Sequence, residues 1–178
     1  DSTTKEEFAT LMESVREFGE PGFVWSDSTE LVVNPCVEIG LYPVDVTTGE
    51  TGWQACNLST INCSKIETEE DFYESCKAAA IIGTLQAGFN SFTYLGEVTE
   101  RIIAREALLG VSMTGIMDKP EICLDPTIQR HGAKIVKDTN KKIAKKININ
   151  VAARTTCIKP EGTTSCILGT SSGIHPHH

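Results

Sequence analysis

"ETEEDFYESCKAAAIIGTLQAGFN", residues 67–90, is the stretch on which the fold class turns. Thr68 followed three residues later by Asp71 is a capping-box pattern, in which each side chain satisfies a backbone N–H at a helix start. Small and apolar residues then run on without a proline, which predicts a long and largely buried helix. Working outward, "EVTERIIAREALLG" (97–110) predicts a second helix closed by Gly110, and "VSMTGIMD" (111–118) a short buried strand and loop. Asp125-Pro126 starts a third long helix, "PTIQRHGAKIVKDTNKKIAKKIN" (126–148), whose last turns are basic, as the helix dipole favours. "VAARTTCI" (151–158) is a β-branched run. On the N-terminal side, "WQACNLSTINC" (53–63) returns the chain to the core after a polar, hairpin-like excursion, "PVDVTTGETG" (43–52). Leu31-Val32-Val33 reads as a strand. Phe8, Leu11, Met12, Val15 and Phe18 fall at helical spacing, with Thr3 or Thr4 as the cap and Gly19, Pro21 and Gly22 as the stop. Long helices alternating with short strands predict an α/β fold.

The 178 residues suffice for one domain with a real core, and 40% hydrophobic with 22% charged residues is ordinary for a globular chain. A net charge of −8 argues against a broad nucleic-acid or anionic-membrane surface. It leaves room for a small anionic substrate, because local backbone donors bind phosphate inside acidic proteins. No apolar run approaches the roughly 20 residues that span a bilayer, and no signal-like N-terminus is present, so a cytoplasmic setting is expected. The seven cysteines (36, 56, 63, 76, 123, 157 and 166) are odd in number and form no CxxC pair, which favours neither a disulfide framework nor a zinc site. The chain starts at Asp1 rather than methionine and stops after a Gly/Pro/His segment. Residues 1–178 are therefore expected to be one continuous domain cut from a longer protein at both ends.

Three motifs carry chemistry. In "NPCVEIG" (34–40) an extended backbone would send alternate side chains to one face, so Asn34, Cys36 and Glu38 would converge where a strand ends. An amide, a sulfur and a potential base together make a plausible reaction centre. "QACNLS" (54–59) adds a second cysteine, Cys56. In "KPEGTTS" (159–165) Pro160 sets a turn, Gly162 permits close backbone approach, and Thr163, Thr164 and Ser165 bring hydroxyls, a combination suited to a phosphate nest. Read alone, that loop is more readily an ordinary Ser/Thr turn between strands, and it lacks the Walker spacing. His175, His177 and His178 invite a metal reading. Adjacent histidines do not readily aim at one ion, however, and no neighbouring carboxylate or cysteine completes a shell, so no metal site is expected.

"NPCVEIG", then "ACNLSTIN", then "KPEGTTS…GTSSGIHPHH", in this order, closely resemble the catalytic large chain of ribonucleotide reductases, and most of all the adenosylcobalamin-dependent class. The resemblance covers nearly the whole chain. It implies part of a ten-stranded α/β barrel with the radical cysteine on a central finger loop. It further implies radical-based reduction of ribonucleotides to 2′-deoxyribonucleotides, with adenosylcobalamin as the radical generator. Cys36 then matches the thiyl-radical cysteine that takes the 3′ hydrogen, and Glu38 the base for the 3′-hydroxyl proton. Asn34 matches the amide on the sugar hydroxyls, and Cys56 one member of the redox pair. Pro160, Glu161, Gly162, Thr163, Thr164 and Ser165 match the loop on the substrate phosphates. Implied partners are a ribonucleoside di- or triphosphate, a thioredoxin-like reductant, and the remainder of the barrel upstream and downstream.

The match has gaps. The 43–52 excursion lengthens the interval between Cys36 and Cys56 and reads as a tolerated insertion. The second redox cysteine is expected before Asp1, and Cys63, Cys76, Cys123, Cys157 and Cys166 read as packing residues. Two alternatives stand: the class whose radical comes from a separate metal-containing subunit, and a non-catalytic nucleotide-binding module.

Overall fold

The computed structural model describes residues 3–176; Asp1, Ser2, His177 and His178 lie outside the described residues, and with them two of the three C-terminal histidines. The central pair of strands is parallel: β3 (Asn57–Asn62) runs beside β4 (Leu109–Thr114), from Asn57 opposite Leu109 to Asn62 opposite Thr114. Parallel neighbours need a long crossover. Here it contains α2 (Glu69–Ala87) and α3 (Gly96–Glu106).

The Thr68–Asp71 capping box forms as the sequence predicts. Asp71 N–H donates to Thr68 Oγ1 (3.1 Å), and Thr68 N–H donates to Asp71 Oδ2 (2.9 Å). Phe72, Cys76, Ala80 and Ala87 on α2 are buried. Helix α5 (Pro126–Ile147) packs along α2, after a short α4 (Pro120–Cys123). Its start is held by Asp125, whose carboxylate accepts from the N–H groups of Thr127 and Ile128. Ile61, Phe72, Val111, Met113, Ile128 and Val136 join strands and helices in one core. The buried Asn140 of α5 donates to Thr84 Oγ1 on α2 (3.0 Å) and accepts from Ala152 N–H (3.0 Å). That pair of bonds fixes the chain just before residues 154–158.

Two boundaries differ from expectation. Gly110 does not close α3. The helix ends at Ala107, in the left-handed region at φ 42°, and Gly110 is the second residue of a fully buried β4. Its role is close approach: a Cβ there would lie 2.5 Å from Leu58 Cδ2, 2.9 Å from Cys56 Sγ and 3.0 Å from Cys157 Sγ. "VAARTTCI" forms no regular strand either. Residues 154–157 instead lie extended along β4's free edge, with Leu109 N–H on Arg154 O (3.0 Å), Val111 N–H on Thr155 O (2.9 Å) and Cys157 N–H on Val111 O (3.1 Å). A buried parallel strand needs both edges satisfied, and this segment supplies the second.

Helix α1 (Lys5–Phe18) takes its cap from Thr4 and stops at Gly19, as predicted, but it buries no residue, and Phe8, Leu11, Met12 and Phe18 stay exposed. The α/β class holds. The described strands make two two-stranded sheets, β3–β4 and the antiparallel β1 (Val32–Val33) with β2 (Gly40–Leu41), rather than a ten-stranded barrel. Among the described residues no helix is long and apolar enough to cross a membrane.

Candidate functional site

The β1–β2 hairpin presents residues 34–39 as its tip. Asn34-Pro35-Cys36-Val37 is a turn closed by Val37 N–H on Asn34 O (2.9 Å), with proline at the position that its fixed φ suits. The expected extended backbone, with Asn34, Cys36 and Glu38 alternating to one face, is therefore replaced by a turn. The Asn34 amide oxygen accepts from Ile39 N–H (3.0 Å) and braces the tip. Val37 sits at φ 65°, a costly conformation for a β-branched residue.

The turn still brings Cys36 and Glu38 to one cation. Lys159 Nζ donates to Cys36 Sγ at 3.2 Å and lies 4.0 Å from Glu38 Oε1. The Glu38 side chain is 2% exposed, against 22% for Lys159, and neither of its carboxylate oxygens has a hydrogen-bond partner. A buried carboxylate without donors costs several kcal/mol in real proteins, so this is a feature that stability alone does not explain. The Cys36 sulfur and the nearby Glu38 charge hold the Lys159 ammonium's pKa above its usual value, so it stays cationic.

Cys56 enters just before β3. With Glu38, Ile39, Leu108, Arg154 and Cys157 it lines a cavity of about 70 Å³. Burial, with the neighbouring Cys157 and Glu38 charges adding to it, pushes the Cys56 thiol up to about 12. Burial and Glu38 push Cys157 up to about 11. Both are therefore protonated thiols at neutral pH. Cys36 does not line this cavity; it is exposed at the hairpin tip and connects to it through Lys159 and Glu38.

"KPEGTTS" is less a loop than a helix start, because Gly162–Leu168 form α6. Glu161 is buried and accepts from the Thr60 hydroxyl of β3, so its charge faces the sheet rather than the opening turn. Thr163 and Thr164 are exposed there, whereas the buried Ser165 donates its hydroxyl back to Gly162 O (3.0 Å). Pro160 precedes this turn. "GTSSGIHP" folds back on the end of β4: Thr114 Oγ1 donates to Ser171 O (2.8 Å) and accepts from Gly173 N–H (2.9 Å). His175 is exposed beyond it, and His177 and His178 lie outside the described residues.

Sequence reasoning missed two residues here. Lys159 opens "KPEGTTS", yet its side chain points to the hairpin tip. Cys157, expected to pack, shares the cavity with Cys56. The alternation of residues 155–159 along a strand edge, which puts 157 and 159 on one face, is the signal that could have found both. Cys63, Cys76 and Cys123 are buried in the core as expected, while Cys166 is exposed on α6.

No family model matches the chain. Curated relatives do, over nearly its whole length. A Dictyostelium discoideum protein named "Probable adenosylcobalamin-dependent ribonucleoside-triphosphate reductase" is 24% identical, across 95% of this chain and 23% of its own. The adenosylcobalamin-dependent ribonucleoside-triphosphate reductase of Lactobacillus leichmannii is 23% identical across 96% of this chain and 28% of its own. That of Euglena gracilis is 25% identical across 95% and 24%. The chain thus spans about a quarter of the length of the curated relatives it matches. Among solved structures, a crystal structure of a B12-dependent, class II ribonucleotide reductase superposes on 96% of the chain at a TM-score of 0.64 and 22% identity, which is a likeness of fold.

Proposed function

We propose that this chain, a relative of the adenosylcobalamin-dependent ribonucleotide reductases over nearly its whole length, is the part of such an enzyme that holds the radical cysteine and the ribose base. The reaction is reduction of a ribonucleotide to its 2′-deoxyribonucleotide. The relatives' names favour a ribonucleoside triphosphate as substrate. Within a longer protein the β3–β4 pair and its flanking segment would belong to a ten-stranded α/β barrel, with the 34–39 tip as its finger loop and residues 1–178 as an interior portion. The seven cysteines are free thiols, which suits a reducing, cytoplasmic setting and a thioredoxin-like reductant.

One observation carries the reading: Glu38 is a buried carboxylate with no donor on either oxygen, next to a cation that also holds Cys36. Such a group is suited to accept a proton from a ligand hydroxyl entering the site. The Cys36 thiol, exposed at the tip, is open to a radical generator approaching from outside the chain, and adenosylcobalamin supplies that radical when bound. A thiyl radical at Cys36 takes hydrogen from C3′ of the ribose, while Glu38 accepts the 3′-hydroxyl proton. The 2′-hydroxyl takes a proton from one thiol of the redox pair and leaves as water. Cys56 and the second thiol give two electrons and the C2′ hydrogen and end as a disulfide, and Cys36 returns its hydrogen to C3′. Asn34 keeps the tip's shape and offers its NH₂ to the sugar. The first turn of α6, with Gly162, Thr163 and Thr164 beside Pro160, takes the phosphates. Buried Glu161 and Ser165 brace that turn. A simple nucleotide-binding module would leave the unpartnered Glu38 unexplained.

The test is Glu38→Gln in the complete protein carrying this chain. Removing the base is expected to lower kcat by about 10² to 10⁴. Stability in urea should hold or rise, since a buried charge is lost. A variant with an unchanged rate refutes the base assignment, and a fall in stability with full activity makes Glu38 structural.

A further inference from the structure

We infer that Lys159 is a third functional residue of this site: its ammonium is the counter-ion of the enclosed Glu38 carboxylate and holds the Cys36 sulfur beside it. The inference rests on the reading of Cys36 and Glu38 given above and adds a residue to it. Residues 34–39 make only one side-chain hydrogen bond beyond their own hairpin among the described residues, from Lys159 Nζ to Cys36 Sγ at 3.2 Å. Lys159 is itself well placed to bear load. Its backbone N–H donates to the fully buried Ser112 Oγ of β4 at 2.8 Å. Its carbonyl is closely approached by Gly173, where a Cβ would come within 3.0 Å of it.

Every charged or titratable group around Glu38 narrows the choice of counter-ion. On its own hairpin there is Cys36. Ahead of β3 there is Cys56, and on the segment beside β4 there are Arg154, Cys157 and Lys159. Buried Glu161, at the start of α6, adds a second carboxylate that acts on Lys159 and Cys157 and accepts from the Thr60 hydroxyl. The two thiols are neutral, held protonated by burial. Arg154 is mostly exposed and turns to Glu106 Oε2 at 3.4 Å. Lys159 is the cation left for Glu38. A buried carboxylate needs such a partner to be charged, and it must be charged to accept a proton. Lys159 keeps its own proton throughout, so the local charge rises by one as Glu38 is protonated. A fixed cation there opposes the protonated form at rest and helps return the proton at the end of the cycle.

The experiment uses Lys159→Met and Lys159→Arg in the complete protein. Hydrogen exchange of residues 34–39 reports the tether without turnover, and the pH profile of kcat with KM for the ribonucleotide reports the counter-ion. Lys159→Met is expected to speed exchange at the tip and to lower kcat by about 100-fold, with its acid limb moved to higher pH and KM little changed. Lys159→Arg should restore most of both effects, because the charge is kept. Unaltered exchange in Lys159→Met overturns the tether, whether or not the protein reduces ribonucleotides. An unaltered pH profile, or a rise in KM alone, overturns the counter-ion role and assigns Lys159 to the substrate phosphates instead. Should the unsubstituted protein reduce no ribonucleotide, the activity reading fails by itself, and the exchange measurement still decides the tether.

Discussion

Cys56 and Cys157 hold their protons harder than free thiols, because burial penalises the thiolate and the Glu38 charge repels it. The sign of the consequence follows from linkage. A folded-state pKa raised to about 12 and about 11, from an ordinary 9.0, means that the folded form binds the proton more tightly. Its contribution to stability is complete below pH 9 and is lost as pH climbs toward the folded values. Urea titrations from pH 7 to 10.5 should therefore show stability falling above pH 9, and falling less in a Cys56→Ser/Cys157→Ser variant; equal slopes would remove the effect. At this scale the sequence offers Cys36, Glu38 and Cys56 as candidates through two short motifs, and the structure puts Cys36 and Glu38 beside Lys159 and Cys56 in a cavity with Glu38. Lys159 was not legible in the sequence. Its partner Cys36 is distant in the chain, and only the strand edge beside β4 brings the two together. The geometry of the tip was misjudged for a local reason: Pro35 favours a turn over the extended backbone that alternation requires.

Elements with their own punctuation were read well. Thr68, Asp71 and Asp125-Pro126 mark helix starts by chemistry that needs nothing from the rest of the fold, and α2 and α5 begin at those residues. Thr68→Ala should cost about 1 kcal/mol in a urea titration, and a change within error would mean that tertiary packing alone sets the start of α2. Gly110 misled because a glycine after a helical pattern is the usual stop signal, while here β4 needs it for close approach. The first turn of α6 has a sharper test. If Thr163 and Thr164 grip phosphate, their contacts exist in ground and transition state alike. The Thr163→Ala/Thr164→Ala variant should then raise KM more than it lowers kcat, by roughly 1–3 kcal/mol for each charge-assisted bond lost. An unchanged KM in a folded variant, checked by circular dichroism, would make this turn structural only.

At the scale of the molecule, the alternation of helices and strands gave the α/β class, but not which strands pair. β3 and β4 join residues separated by the whole α2–α3 crossover, and the flanking segment 154–157 reaches β4 from beyond α5. Such long-range pairing depends on burial of both faces rather than on any local pattern. The 43–52 excursion is likewise more than an insertion. Its Asp45 pairs with Arg101 of α3 (2.6 Å), and Arg105 donates to Val44 O (2.6 Å), so it clamps the chain on its way from the hairpin to Cys56. In the proposed reaction Cys36 abstracts hydrogen and Cys56 takes part in the reduction. Tritium release to water from a ribonucleoside triphosphate labelled at C3′ tests that division most directly, in the complete protein with adenosylcobalamin. The unsubstituted protein and Cys56→Ser should release tritium, and Cys36→Ser should release none, because an alcohol O–H bond is too strong to yield the radical. Tritium release from Cys36→Ser at the unsubstituted level, or its loss in both variants alike, would contradict the account.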